Sequence, residues 1–165
     1  DSLPLKWSKA KRRKVTEPLI TTMRKLTTQA SHDPETHFLL RLILANNPAP
    51  APWAVWEWAR RDVRFHNEWP QVVSSLSRLL QAPVGDCNDL AVATAALLQA
   101  ARYPVRWALG FDDEGKPRHI WTQAYYDGKW LNVDPSPGAD PPGGAPPYQV
   151  INATISAYEP VDILN

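Results

Sequence analysis

A chain of 165 residues with 18 basic and 17 acidic side chains, net charge +1, is long enough for one sizeable hydrophobic core but not for two ordinary ones. Its single cysteine excludes an intramolecular disulfide framework, so nothing in it requires an oxidising compartment, and no apolar run approaches the length of a membrane span. No signal peptide is visible, and Asp1 in place of an initiator methionine is compatible with a processed or cloned fragment.

The first feature along the chain is a basic cluster, Lys6, Lys9, Lys11, Arg12, Arg13 and Lys14, with only Asp1 and Glu17 nearby. A nucleic acid or another anionic surface is one reading of it. The expectation is a solvated or partly disordered arm over residues 1–16, because terminal charge runs are usually solvated. Residues 17–29 and 35–46 then read as helices, and Pro48-Ala49-Pro50-Ala51-Pro52 as a stiff break. His32 and His37 flank Asp33-Pro34, a turn and helix start, which suits surface or capping roles. A third helix is expected over 53–65, where Trp53, Trp56, Ala59, Arg60 and Val63 recur at helical spacing; its tryptophans are expected in the core. Residues 71–80 read as a fourth, amphipathic helix.

The strongest helix signal comes next. Residues 88–101 are rich in good helix formers and free of Gly and Pro, with Leu90, Ala93, Leu97 and Ala101 at helical spacing. Pro83 and Gly85 separate this helix from the preceding one, Pro104 stops it, and Asp86 and Asp89 sit where a first turn favours acids. Cys87 stands at this helix start, where unpaired N–H groups and the positive end of the macrodipole favour a thiolate, the nucleophilic form. A lone cysteine is commonly an inert core residue, but flanking glycine and acids are poor material for that role.

Residues 105–111 read as a strand and 112–117 as an acidic turn. Residues 118–126 and 129–134 are both strand-like and are separated by Asp127-Gly128, the favoured two-residue hairpin turn. That turn pairs Tyr126 with Lys129 and places Trp121 opposite Asp134. His119, two residues before Trp121, then shares its face and becomes a diagonal neighbour of Asp134, with Cβ atoms roughly 7 Å apart. A thiol at a helix start, a histidine and an aspartate make the parts of an acyl-transfer triad: Cys87 as nucleophile, His119 as base and acid, and Asp134 orienting the imidazole. The Cys87 backbone N–H is the natural oxyanion donor.

Residues 134–147 form a Pro/Gly-rich loop, read as a lid or as a plain connector, and a final strand is expected near 148–157. Consecutive helices followed by consecutive strands indicate an α+β fold with a small, mainly antiparallel sheet. The expected organisation is an arm at 1–16 and one domain over 17–165, helical at 17–102 and sheet-forming at 103–158. Scattered histidines and one cysteine do not make a structural zinc site, no calcium-loop spacing occurs, and no phosphate loop or dinucleotide fingerprint is present. Asn152-Ala153-Thr154 matches a glycosylation acceptor without secretory context.

Residues 53–137 resemble the transglutaminase-like superfamily. The resemblance rests on Gly85-Asp86-Cys87-Asn88-Asp89-Leu90-Ala91, on His119-Ile120-Trp121, and on Gly128-Lys129-Trp130-Leu131-Asn132-Val133-Asp134-Pro135, in that order. Two departures are Asn88, where the family often has Asp, and Tyr103, in place of a glycine before the Pro-to-strand turn. The resemblance implies a papain-like fold with the cysteine helix packed on the sheet. It further implies catalysis by Cys87, His119 and Asp134 on an amide of a protein or peptide substrate, with no metal or organic cofactor. Water as acceptor gives proteolysis or deamidation, and an amine gives cross-linking; hydrolysis is the expectation. Compact relatives are frequent in bacteria and their viruses, which suggests a cytoplasmic or virion-associated setting. The rival reading is a non-enzymatic binding or assembly module that keeps the fold and uses the basic arm for docking.

Overall fold

The computed structural model describes residues 6–66, 73–147, 149–150 and 153–164. In chain order the elements are α1 (Lys9–Ser31), α2 (Pro34–Ala45), α3 (Ala51–Asp62), β1 (Arg64–Phe65), α4 (Leu76–Gln81) and β2 (Val84–Gly85). They continue with α5 (Cys87–Ala100), β3 (Val105–Phe111), β4 (Pro117–Tyr126), β5 (Lys129–Val133), β6 (Gln149–Val150), β7 (Ala153–Thr154) and β8 (Ala157–Asp162). The main sheet is antiparallel with order β5-β4-β3-β8. This is the α+β architecture expected from the order of helical and strand-like runs.

Helix α5 is the axis of the molecule. Every residue from Cys87 to Leu98 is buried, as a helix must be when apolar matter meets it on all sides. On one side α2, α3 and α4 contribute Leu40, Ile43, Val55, Trp58, Leu76 and Leu79, packed with Leu90, Ala93 and Leu97. On the other, Ile20 and Met23 of α1 and Trp107, Leu109 and Ile120 of the sheet pack with Ala91, Val92 and Ala95. Two buried donors, Trp107 Nε1 and Thr122 Oγ1, both reach the Ala91 carbonyl, at 3.2 and 2.9 Å, and lock the helix to the sheet.

Several boundaries differ from expectation. The first helix starts at Lys9, not residue 17, so the basic cluster from Lys9 to Lys14 is helical rather than a disordered arm. Ser8 caps it by accepting from the Lys11 N–H at 3.0 Å. Arg12 anchors it, with its guanidinium 4.1 Å from the Phe111 ring centroid and 3.5 Å from Glu159. The third helix starts inside the Pro-Ala run, because Pro52 in the first turn needs no N–H partner. It stops at Asp62, and Val63 turns extended so that Arg64–Phe65 can pair in parallel with Val84–Gly85. Of the expected fourth helix, 71 and 72 lie outside the described residues, and the helix observed is Leu76–Gln81. The single final strand expected near 148–157 is instead a small β6–β7 pair followed by β8, which carries the sheet on to Asp162. Asn152 of the glycosylation match lies outside the described residues. Among the described residues, no helix is long and apolar enough to cross a membrane.

The hairpin matches its expected register, with Tyr126 opposite Lys129 and Thr122 opposite Val133. Asp127 and Gly128 both have positive φ, +50° and +81°, as the primed two-residue turn requires.

Candidate active site

The start of α5 is held by a reciprocal cap. Asp86 accepts from the backbone N–H groups of Asn88 and Asp89 at 3.0 and 3.1 Å, and Asp89 accepts from the Asp86 N–H at 3.0 Å. Asp89 also accepts from the Ser74 N–H at 2.6 Å, tying the approach to α4 onto the same cap. Gly85 has no room for a side chain, since a Cβ there would lie 2.9 Å from Asp89 Cβ. Burial, and then the charge of Asp89, push the Asp86 carboxyl up to about 7. The cap takes up the N–H groups of Asn88 and Asp89 but not that of Cys87.

Cys87 is 4 % exposed, and its thiol donates to Asn88 Oδ1 at 3.8 Å. The buried neighbour is thus a neutral amide rather than a third carboxylate in the first helical turn. His119 of β4 and Asp134, one residue beyond β5, meet as the diagonal register predicts, with Nε2 2.7 Å from Oδ2. That bond leaves Nδ1 as the ring nitrogen free for another partner. Burial opposes the charged imidazole, but the charge and hydrogen bond of Asp134 outweigh it. A hydrogen bond and negative charge at Cys87 add to them, so His119 is raised from 6.5 to about 10. Burial likewise works against ionised Asp134, yet His119 and Ser136 hold its carboxyl below the usual range. The structure therefore brings together all three residues singled out in the sequence.

Further residues fix their positions. The His119 ring stacks on Trp121 with centroids 5.5 Å apart. Trp121 Nε1 donates to Asn132 Oδ1 at 2.8 Å, clamping β4 to β5 beside the site. Asp134 Oδ1 accepts from the Ser136 N–H at 3.0 Å, and the Asp134 carbonyl accepts from Trp56 Nε1 at 2.7 Å. Arg60, one helical turn beyond Trp56, stacks on it and donates to the carbonyls of Ser136 and Ala139, both at 3.4 Å. Helix α3 therefore holds the segment after β5. Helical periodicity assigns its tryptophans to the core alone, and nothing in the spacing of residues 53–65 points to Asp134.

A family model described as the transglutaminase-like superfamily matches residues 42–135. No curated protein matches the chain. Among solved structures, a candidate protease from Parabacteroides distasonis superposes with a TM-score of 0.53 at 14 % identity, over 72 % of this chain and 27 % of its own. A candidate cysteine protease from Cytophaga hutchinsonii aligns at 21 % identity with a TM-score of 0.49, over 61 % of this chain and 37 % of that one. The chain thus spans between about a quarter and just over a third of the length of these two structures.

Proposed function

The chain belongs to the transglutaminase-like superfamily, whose members are generally cysteine enzymes, and we propose that it is a cysteine acyl-transfer enzyme acting on an amide or peptide bond through Cys87, His119 and Asp134. The observation that carries this reading is the buried 2.7 Å pair of His119 and Asp134, with Cys87 at the capped start of α5 beside the ring.

Asp134 stabilises the charged imidazole of His119, so in the attacking form the Cys87 thiol gives its proton to His119. The Cys87 sulfur attacks the carbonyl carbon, and the oxyanion forms next to the Cys87 N–H that the cap leaves over. As the C–N bond breaks, His119 gives its proton to the leaving amine and a thioester remains. The now neutral imidazole takes a proton from the acceptor, which attacks the thioester and releases the sulfur. Asp134 keeps the ring oriented through both steps. Water is the preferred acceptor. An amine transferase must keep water from the thioester, and the only cover foreseen from the sequence is the short Pro/Gly-rich segment after Asp134.

The test is product analysis with glutaminyl and peptide substrates in the presence of excess primary amine. Hydrolysed product dependent on Cys87 is expected. Predominantly amine-coupled product overturns the choice of acceptor and leaves the triad standing. The near-complete burial of Cys87 is what the rival assembly-module reading favours; a thiol that labels no faster than an ordinary cysteine, with no product from any substrate, decides for that reading.

A further inference from the structure

A groove of about 560 Å³ runs between the end of α3, the β1–β2 pair and the segment after Asp134. Among the described residues its charged lining is Arg60, Arg61 and Arg64 against the carboxylate of Asp62, and the remainder is apolar, with Val84 and Pro135 among it. All three arginines are exposed. Arg60 is engaged with the carbonyls of Ser136 and Ala139. Among the described residues Arg61 meets only its neighbour Asp62, at 3.2 Å, in an exposed pair that contributes little. The Arg64 side chain has no hydrogen-bond or ion-pair partner among the described residues.

Two residues that line the groove are close in the chain to the reacting groups. Val84 lies three residues before Cys87, and Pro135 directly follows Asp134. Three residues of chain span at most about 10 Å, so a substrate whose amide lies at the Cys87 sulfur has its flanking residues within reach of this groove. The volume falls within the range of ligand sites and accommodates a few residues of extended peptide.

We propose that this groove is a substrate subsite for a carboxylate-bearing peptide, so that amides flanked by Asp or Glu are the preferred substrates; this rests on the cysteine-enzyme reading above. Guanidinium groups pair with carboxylates through two parallel hydrogen bonds, which gives direction as well as charge. The proline and valine lining receives the aliphatic part of a peptide. A nucleic acid fits less well, because the groove is short and lacks lysine, and the whole chain carries a net charge of only +1.

The experiment compares kcat/KM for matched peptides that carry Glu, Ser or Lys around one glutamine, in wild type, Arg61→Glu and Arg64→Glu. Both positions are exposed, and circular dichroism verifies folding. Wild type is expected to favour the Glu peptide over the Ser peptide by about threefold to fivefold, the upper range for exposed charge pairs. Either reversal should bring that ratio close to one or invert it. Equal turnover of Glu and Ser peptides by wild type overturns the proposal, as does a preference that survives in both variants. If no peptide is turned over, the enzyme reading fails separately, and fluorescence anisotropy of a labelled Glu-rich peptide then reads the groove. Binding that Arg64→Glu weakens by about tenfold or more retains the carboxylate site. No binding, or tighter binding of a single-stranded RNA oligonucleotide, overturns it.

Discussion

Cys87, His119 and Asp134 are each nearly excluded from water, and this burial makes their charges depend on one another. Because Asp134 orients His119 and does nothing else in the proposed chemistry, the two should act as one unit. His119→Ala and the double variant His119→Ala/Asp134→Ala are expected to lose nearly equal activity, on the order of a thousandfold or more in kcat, as in other triads. Losses that multiply would show that Asp134 acts by itself. The same pair sets a pH dependence of stability. His119 is raised in the folded state, so the stability it confers is complete below its unfolded value near 6.5 and is lost as pH rises through about 10. Between those limits, unfolding free energy should fall by at most about 1.4 kcal/mol per pH unit, and His119→Gln should flatten that decline. Chemical denaturation at pH 6, 8 and 10 checks this, and equal slopes in the two proteins would sink it. At this scale the sequence was informative because a two-residue turn fixes every cross-strand neighbour. Counting outward from Asp127-Gly128 was enough to bring His119 to Asp134.

Elements joined by local chemistry were legible, while those joined only by tertiary contact were not. The cap of α5 could be read from Asp86 and Asp89 because the partners lie within one turn. The support from α3 could not, since Trp56 and Asp134 are 78 residues apart and no periodicity relates them. The strands β1 and β2 are two residues each, too short for any alternation to appear. Trp56→Phe tests what α3 contributes. It keeps the ring packed on Arg60 but removes the donor to the Asp134 carbonyl. Loss of one such bond costs about 1 kcal/mol of stability. A shift of the carboxylate by a fraction of an ångström is expected to lower kcat by roughly tenfold with little change in KM, because geometry and not binding is disturbed. An increase in KM at constant kcat would instead mean that Trp56 contacts substrate.

For the whole molecule, the sheet and the helical layers close around α5, and α1 is the part that joins them at the N-terminal end. It packs Ile20 and Met23 against α5, and through Arg12 it grips both Phe111 and Glu159 on β3 and β8. The charge run suggested a solvated or partly disordered arm; Lys9, Lys11, Arg13 and Lys14 are exposed, but composition cannot show that Arg12 stacks on a ring a hundred residues away. We therefore propose that residues 9–16 are part of the folded unit rather than an appendage. Thr16 is buried, and its hydroxyl donates to the Arg12 carbonyl at 2.8 Å, so the segment is continuous with the buried face that begins at Ile20. A partly desolvated guanidinium stacked on a ring contributes about 1–2 kcal/mol, and removing the first two turns of α1 also exposes part of that face. Deletion of residues 1–16 is expected to lower the melting temperature by about 5 °C or more, given a shift of roughly 2–4 °C per kcal/mol for a domain of this size. Arg12→Ala alone should account for part of that loss, whereas Lys14→Ala, at an exposed position, should leave the melting temperature within about 1 °C. A deletion as stable as the full chain would make residues 9–16 an appendage that contributes nothing to the folded unit.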